Sequence, residues 1–518
     1  MAASVRNVLF IMCDQLRWDH LGCYGHPSLR TRNIDALAAR GVRFDRAFVA
    51  SGICGPSRMS FYTGRYMSSH GATSNRVPLA VGEITLGEYL EAAGVMPMLA
   101  GKSHMIADRK GLARLAIDPA SALGKRLAAG SFREIDRYDG HHAPGAESGY
   151  PAYLRAHGYA AREPWGEWVI SVVDREGEVR SGWQMRHAHF PARVRERDSE
   201  TAFMTEKAIE FIEAATDQPW MLHLSYVKPH WPYIAPAPYH DLYTRDQCLP
   251  LQRTEQEKAD AHPVYAAFMD REVSRNFARE EVVWPIRRVY QGLIQEIDDH
   301  LGRLFDLMER LGRWRDTMVI FTSDHGDYLG DHWLGEKELF HDAVQRVPLL
   351  IAHPEGVPGA VAEELVSTVD ILPTILESLG IPLPTHRIEG RSLLPRVLSG
   401  AESEPRGAVF SELDYAFSRA RLSLGRKPHE CRGWMVRTER WKYVHWMGFP
   451  PQLFDLAEDP REFTDLGPSV AHEAVLAEMR SALLEWHSGL KRRVTMTDDE
   501  VAAATDRHKE AGVPFGVW

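Results

Sequence analysis

The chain has 518 residues, 44% of them hydrophobic and 25% charged, with a formal net charge of -10 and a pI near 6.2. That length favours more than one structural unit, and the ordinary composition excludes a fibrous or disordered chain. The acidic balance argues against nucleic acid as a partner, while local basic groups still admit a small sulfate or phosphate.

Five cysteines (Cys13, Cys23, Cys54, Cys248 and Cys431) are odd in number, scattered and without CxxC spacing. They predict no disulfide framework and a reducing, cytoplasmic setting. No stretch approaches the roughly 20 apolar residues of a membrane span, so no membrane association is expected.

Val8 to Met12 is a continuous apolar run, as in a parallel strand covered on both faces, and it ends at Asp14-Gln15. Thr31 to Arg40 has helical spacing and stops at Gly41; Val42 to Val49 alternates like a strand. A turn containing Cys54 follows, then a helix is expected from Met59 to Tyr66. A turn feeding a helix N-terminus makes a good anion site. On its own, Cys54 reads either as a small buried hydrophobe or as an activated thiol.

Glu83 to Ala93 predicts a helix and Val95 to Ala100 a short strand, leading to Gly101-Lys-Ser-His104. Residues 108–200 are irregular and rich in Gly, Pro, Arg and Trp, which predicts an insertion over the sheet edge, either a lid or an oligomer contact. Beyond it come a helix over Glu200 to Ala215, a strand from Trp220 to Tyr226 leading to Lys228-Pro229-His230, and no clear long strand over 239–285. A helix is expected from Tyr290 to Leu311, strands over Thr317 to Ser323 and Val347 to Ala352, and a helix from Asp370 to Leu379. This alternation predicts an α/β unit over 1–400 with a mainly parallel sheet between helices. Short strands at 408–412, 433–437 and 441–446 and a helix over 471–490 predict a small α+β unit with an antiparallel sheet over 401–518.

Asp14-Gln15, Lys102 to His104, Lys228 to His230 and Asp324-His325 each follow a strand, where open α/β sheets bind ligands. Four such groups mixing carboxylates, imidazoles and ammoniums predict convergence on one site. Here the chain resembles a type I sulfatase of the alkaline phosphatase superfamily, in the arylsulfatase and phosphonate monoester hydrolase branch. The matching residues are Asp14-Gln15, Cys54-Gly-Pro-Ser-Arg58 (the Cys-x-Pro-x-Arg maturation signature), Gly101 to His104, Pro229-His230, Asp324-His325-Gly326, Lys337 and Arg346-Val-Pro348.

The resemblance implies that Cys54 is oxidised to formylglycine by a maturation enzyme and hydrated to a geminal diol. It implies one divalent cation, Ca²⁺ or Mn²⁺, on Asp14, residue 54, Asp324 and His325. Arg58 would orient the diol oxygen; His230 would act as acid on the leaving group and His104 as base. Lys102 and Lys337 would offset charge on the ester oxygens, with Asn75 and His230 also contacting substrate and Gln15 touching either the metal or the substrate oxyanion. The implied reaction is hydrolysis of a small organic sulfate ester, with phosphonate monoester or phosphodiester hydrolysis as the alternative. Phosphonate hydrolases of this kind tend to carry Tyr and Thr where Lys102 and His104 stand, which favours sulfate. A dimer or tetramer is expected of such an enzyme. Arg346 is expected to support the sheet through an ion pair, Lys228 to stand outside the catalytic set, and His332 and His341 to be packing or supporting residues.

Overall fold

The computed structural model describes residues 5–140, 143–145, 148–400, 405–508 and 510–513. Its strands, in chain order, are β1 (Asn7–Asp14), β2 (Val42–Phe48), β3 (Met96–Gly101), β4 (Arg133–Arg137), β5 (Ser171–Val173), β6 (Val179–Ser181) and β7 (Trp220–Pro229). They continue with β8 (Thr317–Ser323), β9 (Arg346–Ala352), β10 (Ala360–Ser367), β11 (Val409–Asp414), β12 (Arg432–Arg437), β13 (Trp441–Trp446) and β14 (Gln452–Asp455).

Eight of these form one sheet in the order β10-β2-β9-β8-β1-β7-β3-β4. All neighbours are parallel except β9, which runs antiparallel to both β2 and β8. Every residue of β1, β7 and β8 is buried, which explains their apolar runs: both faces are covered and neither needs polar side chains. One hydrophobic cluster, with Leu9, Ile11, Leu222, Val319 and Ile297, fills one side of the sheet; another, with Phe10, Met12, Phe61, Ile320 and Leu372, fills the other.

The two edge strands were not expected. β4 pairs only with β3 and reads Arg-Glu-Ile-Asp-Arg, a charged edge that discourages pairing with other chains. It lies within the 108–200 insertion, so part of that segment extends the main sheet; β5 and β6 form a separate hairpin there. β10, at the opposite edge, carries Glu363 and Glu364.

The long helix spans Glu280–Arg310, ten residues earlier than expected. Pro285 made its first turns look like a loop. Lying only five residues in, the proline removes one backbone donor near the end of the helix, and the buried face from Val282 and Val283 onward supplies the packing that holds it.

The antiparallel sheet β11-β12-β13-β14 carries the helix Glu473–Ser488 on one face, through Met479 and Leu483 against Val436, Tyr443 and Leu453. It docks on the main sheet where Val409 packs with Phe48 and Leu365, and Glu412 N–H donates to the Ala50 carbonyl at 2.9 Å. The expected change of unit at 400/401 adjoins 401–404, outside the described residues. No described helix is long and apolar enough to cross a membrane.

Candidate active site

The C-terminal ends of β8, β1, β7 and β3, four adjacent strands, deliver the polar groups to one place. Asp14 ends β1, Lys102 follows β3, His230 follows β7, and Asp324 and His325 follow β8. All five side chains are buried, as are Cys54, Arg58, Gln15 and Lys337.

Cys54 is the first residue of a helix over Cys54–Thr63, so the expected turn is already helical and the helix ends three residues sooner than expected. Gly55 and Pro56 suggested a turn, but a proline in the first turn lacks only a donor that has no intrahelical partner anyway. The helix ends at Gly64 (φ 64°), whose N–H reaches the Ser60 carbonyl. Near its start, Gly55 N–H donates to Asn75 Oδ1 at 2.7 Å, and a Cβ at Gly55 would meet that oxygen at 2.9 Å. Asn75 is thus tied to the residue next to Cys54.

Cys54 Sγ lies 3.0 Å from Lys337 Nζ, 3.1 Å from His325 Nε2 and 3.7 Å from Asp14 Oδ1. Asp14, Cys54, Asp324 and His325 bring their ligand atoms within 4.8 Å of one another. His325 Nδ1 is 2.8 Å from the Gly326 carbonyl, so it carries the proton and leaves Nε2 as an acceptor towards the centre. Gly101 (φ 107°) turns the chain into Lys102; a Cβ there would strike the Ser225 carbonyl at 2.0 Å, so only glycine allows β3 to approach β7 so closely. Lys102 Nζ then donates to Asp14 Oδ2.

Burial alone would raise Asp14, but Lys102, His230, Lys337 and Arg58 hold its carboxyl well below the usual range. Cys54 is likewise opposed by burial and by Asp14, yet Lys337, Lys102 and His325 bring its thiol below its ordinary value. Burial disfavours charge on His325, and Asp324 and Cys54 outweigh it, raising the imidazole. The centre favours an anionic atom at position 54.

Arg58 reaches across to the ends of β8, β3 and β7. Its Nε donates to Asp324 Oδ2 at 2.8 Å, and Nη1 donates to the Lys102 carbonyl and Ser225 Oγ, each at 2.7 Å. These bonds brace the carboxylate side of the centre. Lys337 bridges three groups: Cys54 Sγ, Gln15 Oε1 at 3.0 Å and His230 Nε2 at 2.9 Å. His230 Nδ1 is 2.7 Å from the Trp231 carbonyl and donates to it, so Nε2 faces the centre, an acceptor in the neutral ring and a donor in the protonated one. His104 adopts φ 54°, with its backbone N–H on Asp139 Oδ1 at 2.9 Å.

Arg346 serves the sheet differently from the expected ion pair. Its guanidinium lies 3.5 Å from the Trp18 ring centroid and Nε donates to the Asp45 carbonyl at 2.7 Å. Lys228 points away, to the Pro232 carbonyl at 3.1 Å and Glu200 at 3.7 Å. His332 and His341 stack face to face at 3.7 Å and 5°, with Glu257 on His332 Nδ1 at 2.6 Å. Their in-plane lone pairs run side by side instead of converging, which suits packing better than joint metal ligation.

Sequence reasoning missed several groups that shape the site. Asp327 and Tyr233 hold Gln15, Ser57 Oγ donates to the Asp324 carbonyl at 2.6 Å, and Asp139 anchors the Ser103–His104 backbone. Asp327 was legible as the fourth residue of Asp324-His325-Gly326-Asp327; Tyr233 had no local signal. A cavity of about 510 Å³ adjoins Ile53 and Asn75. Met185, residues 271–276 and residues 414–419 of the C-terminal sheet region contribute to its wall.

The sulfatase family model matches residues 6–381, and the model for the C-terminal region of N-sulphoglucosamine sulphohydrolase matches 330–488. The multifunctional alkaline phosphatase superfamily protein PehA of Trinickia caryophylli is 32% identical over 93% of this chain and 95% of its own length. Choline-sulfatase of Rhizobium meliloti is 30% identical over 90% and 83%. The solved phosphonate monoester hydrolase SpPMH of Silicibacter pomeroyi superposes with a TM-score of 0.83 at 29% identity, covering 95% of this chain and 98% of that one. With its alkaline-phosphatase-like fold and this match over most of its length, the chain is a hydrolase that belongs to the sulfatase family.

Proposed function

We propose that this protein hydrolyses small organic sulfate esters, using residue 54 as nucleophile after Cys54 has been oxidised to formylglycine by a maturation enzyme. The observation that carries the reading is the convergence of Lys337, His325 and Asp14 on Cys54 Sγ, at 3.0, 3.1 and 3.7 Å. Sγ stands in for an oxygen of the mature residue.

The donor set fits one divalent cation. Two buried carboxylates, one imidazole with Nε2 turned inward and one atom of residue 54 are hard or borderline ligands; oxygen suits Ca²⁺ or Mn²⁺ and the imidazole favours Mn²⁺. When bound, the ion would supply positive charge beside residue 54 and the ester oxygens.

One oxygen of the hydrated aldehyde, having released its proton to solvent where Lys337 and Lys102 favour an anion, attacks sulfur, and the bond from sulfur to the ester oxygen breaks. His230, in its protonated form, gives a proton to the departing oxygen. Lys337 and Lys102 stabilise charge on the sulfuryl group, with Gln15 and Asn75 at its margin. His104 then takes the proton of the second hydroxyl, the C–O bond to the sulfate breaks, and the aldehyde returns and is rehydrated by water.

Phosphonate monoester hydrolysis is the second reading, favoured by the near full-length likeness to SpPMH; Lys102 and His104 weigh towards sulfate. Comparing kcat/KM for an aryl sulfate and the matching phosphonate monoester decides between them. A higher value for sulfate is expected, and a much higher phosphonate value reverses the assignment.

A further inference from the structure

Gln15 is pinned through its backbone. It adopts φ 67°, its N–H donates to Asp324 Oδ1 at 3.0 Å, and its carbonyl accepts from the Tyr290 hydroxyl at 2.6 Å. A left-handed conformation on a residue other than glycine is costly and is held here from both sides. The remaining choice is which end of the side-chain amide faces which neighbour. The two ends are nearly the same shape, so packing cannot make that choice; donors and acceptors must.

On one side stands Lys337 Nζ, 3.0 Å from Gln15 Oε1, which can only donate. On the other, Gln15 Nε2 donates to Asp327 Oδ2 at 2.5 Å and to the Tyr233 hydroxyl at 3.1 Å. The Tyr233 hydroxyl donates to Asp327 Oδ2 at 2.6 Å, and Leu329 N–H donates to Asp327 Oδ1 at 2.9 Å. Asp327 thus accepts from three donors, and Asp327 and Tyr233 are both buried.

We propose that Asp327, backed by Tyr233, is a positioning residue: by accepting from Gln15 Nε2 it turns Gln15 Oε1 towards Lys337 and so aims the ammonium at residue 54 and His230. The inference rests on the reading of Lys337 as a substrate-facing cation. Were the amide reversed, its NH₂ would meet the ammonium, and Lys337 would lose one of three anchors.

Asp327→Asn tests this. Leu329 N–H would hold the oxygen of the new amide, so its NH₂ would replace Oδ2 and require Gln15 to offer Oε1 instead, turning Nε2 against Lys337. We expect kcat/KM to fall by about 100-fold, the scale of a misdirected electrostatic group in an active site. Gln15→Glu supplies an acceptor at both ends. The double variant Gln15→Glu/Asp327→Asn should therefore recover at least about tenfold over Asp327→Asn. A purely structural Asp327 would not be rescued this way. Tyr233→Phe, a milder change, should lower kcat/KM by about fivefold in protein that still folds with a melting temperature lowered by only a few degrees.

The inference is overturned by Asp327→Asn or Tyr233→Phe retaining wild-type kcat/KM, or by a folded double variant no more active than Asp327→Asn. Cys54→Ala, assayed alongside, separates the two levels. If it keeps turnover, the reaction reading fails and the positioning role falls with it; if it is inactive, a null result at 327 rejects the positioning role alone.

Discussion

Asp14 and Glu412 are both fully hidden from water, yet their carboxyls shift in opposite directions. Asp14 meets Lys102, with Lys337 and Arg58 close by, and stays ionised well below its ordinary range despite burial. Glu412, where the C-terminal sheet meets the main one, meets the Ser68 hydroxyl and N–H, the latter at 2.9 Å; burial pushes its carboxyl up to about 7. Glu296, bonded to the Ser199 hydroxyl at 2.5 Å, is likewise pushed up by burial to about 8. Neutral hydrogen bonds satisfy a buried acid without keeping it charged. Where several cations converge, as at this end of the sheet, a buried carboxylate stays charged, and a reacting anion needs the same arrangement.

Removing the atom on which those cations converge should have the largest effect. Cys54→Ala is expected to lose hydrolysis by on the order of 10⁴-fold or more while still folding, as read by steady-state kinetics and circular dichroism. Lys102→Met attacks the same cluster from the other side. Deleting one partner of a buried ion pair leaves a charge uncompensated, so metal-free protein should lose about 3–5 kcal/mol in denaturant unfolding. A loss below 1 kcal/mol would mean that the cluster does not depend on this pair.

Glu412→Gln sharpens the contrast with the smallest effect. The folded carboxyl sits at about 7 against an ordinary 4.5, so the folded protein holds the proton more tightly than the unfolded chain. The stabilising contribution is complete below about pH 4.5 and is lost as pH rises through about 7. The glutamine variant has no such loss. It should therefore gain on wild type by about 2.5 kcal/mol between pH 5 and pH 8, measured by urea unfolding at both values.

The same contrast explains what the sequence revealed. Interior strands such as Val8 to Met12 and Thr317 to Ser323 were legible because burial on both faces makes them continuously apolar. The edge strands β4 and β10 were not, because an edge must carry charge, and their pattern then resembles a loop. Pro285 concealed the start of the long helix, since a proline near a helix end is tolerated but reads as a stop. The convergence of Asp14, Cys54, Lys102, His230, Asp324, His325 and Lys337 was legible because each stands beside a strand end or in a short motif. Tyr233 and Asp139 act through long-range contacts that leave no local pattern. The contacts of Arg58 with Asp324 and Ser225 were not legible, because those partners are 266 and 167 residues away.

The state of residue 54 is the central claim. Mass spectrometry of the tryptic peptide Ala47–Arg58 from active enzyme reads it directly. The account predicts an aldehyde at position 54, in proportion to specific activity across preparations; a wholly unmodified thiol in enzyme that turns over would contradict it.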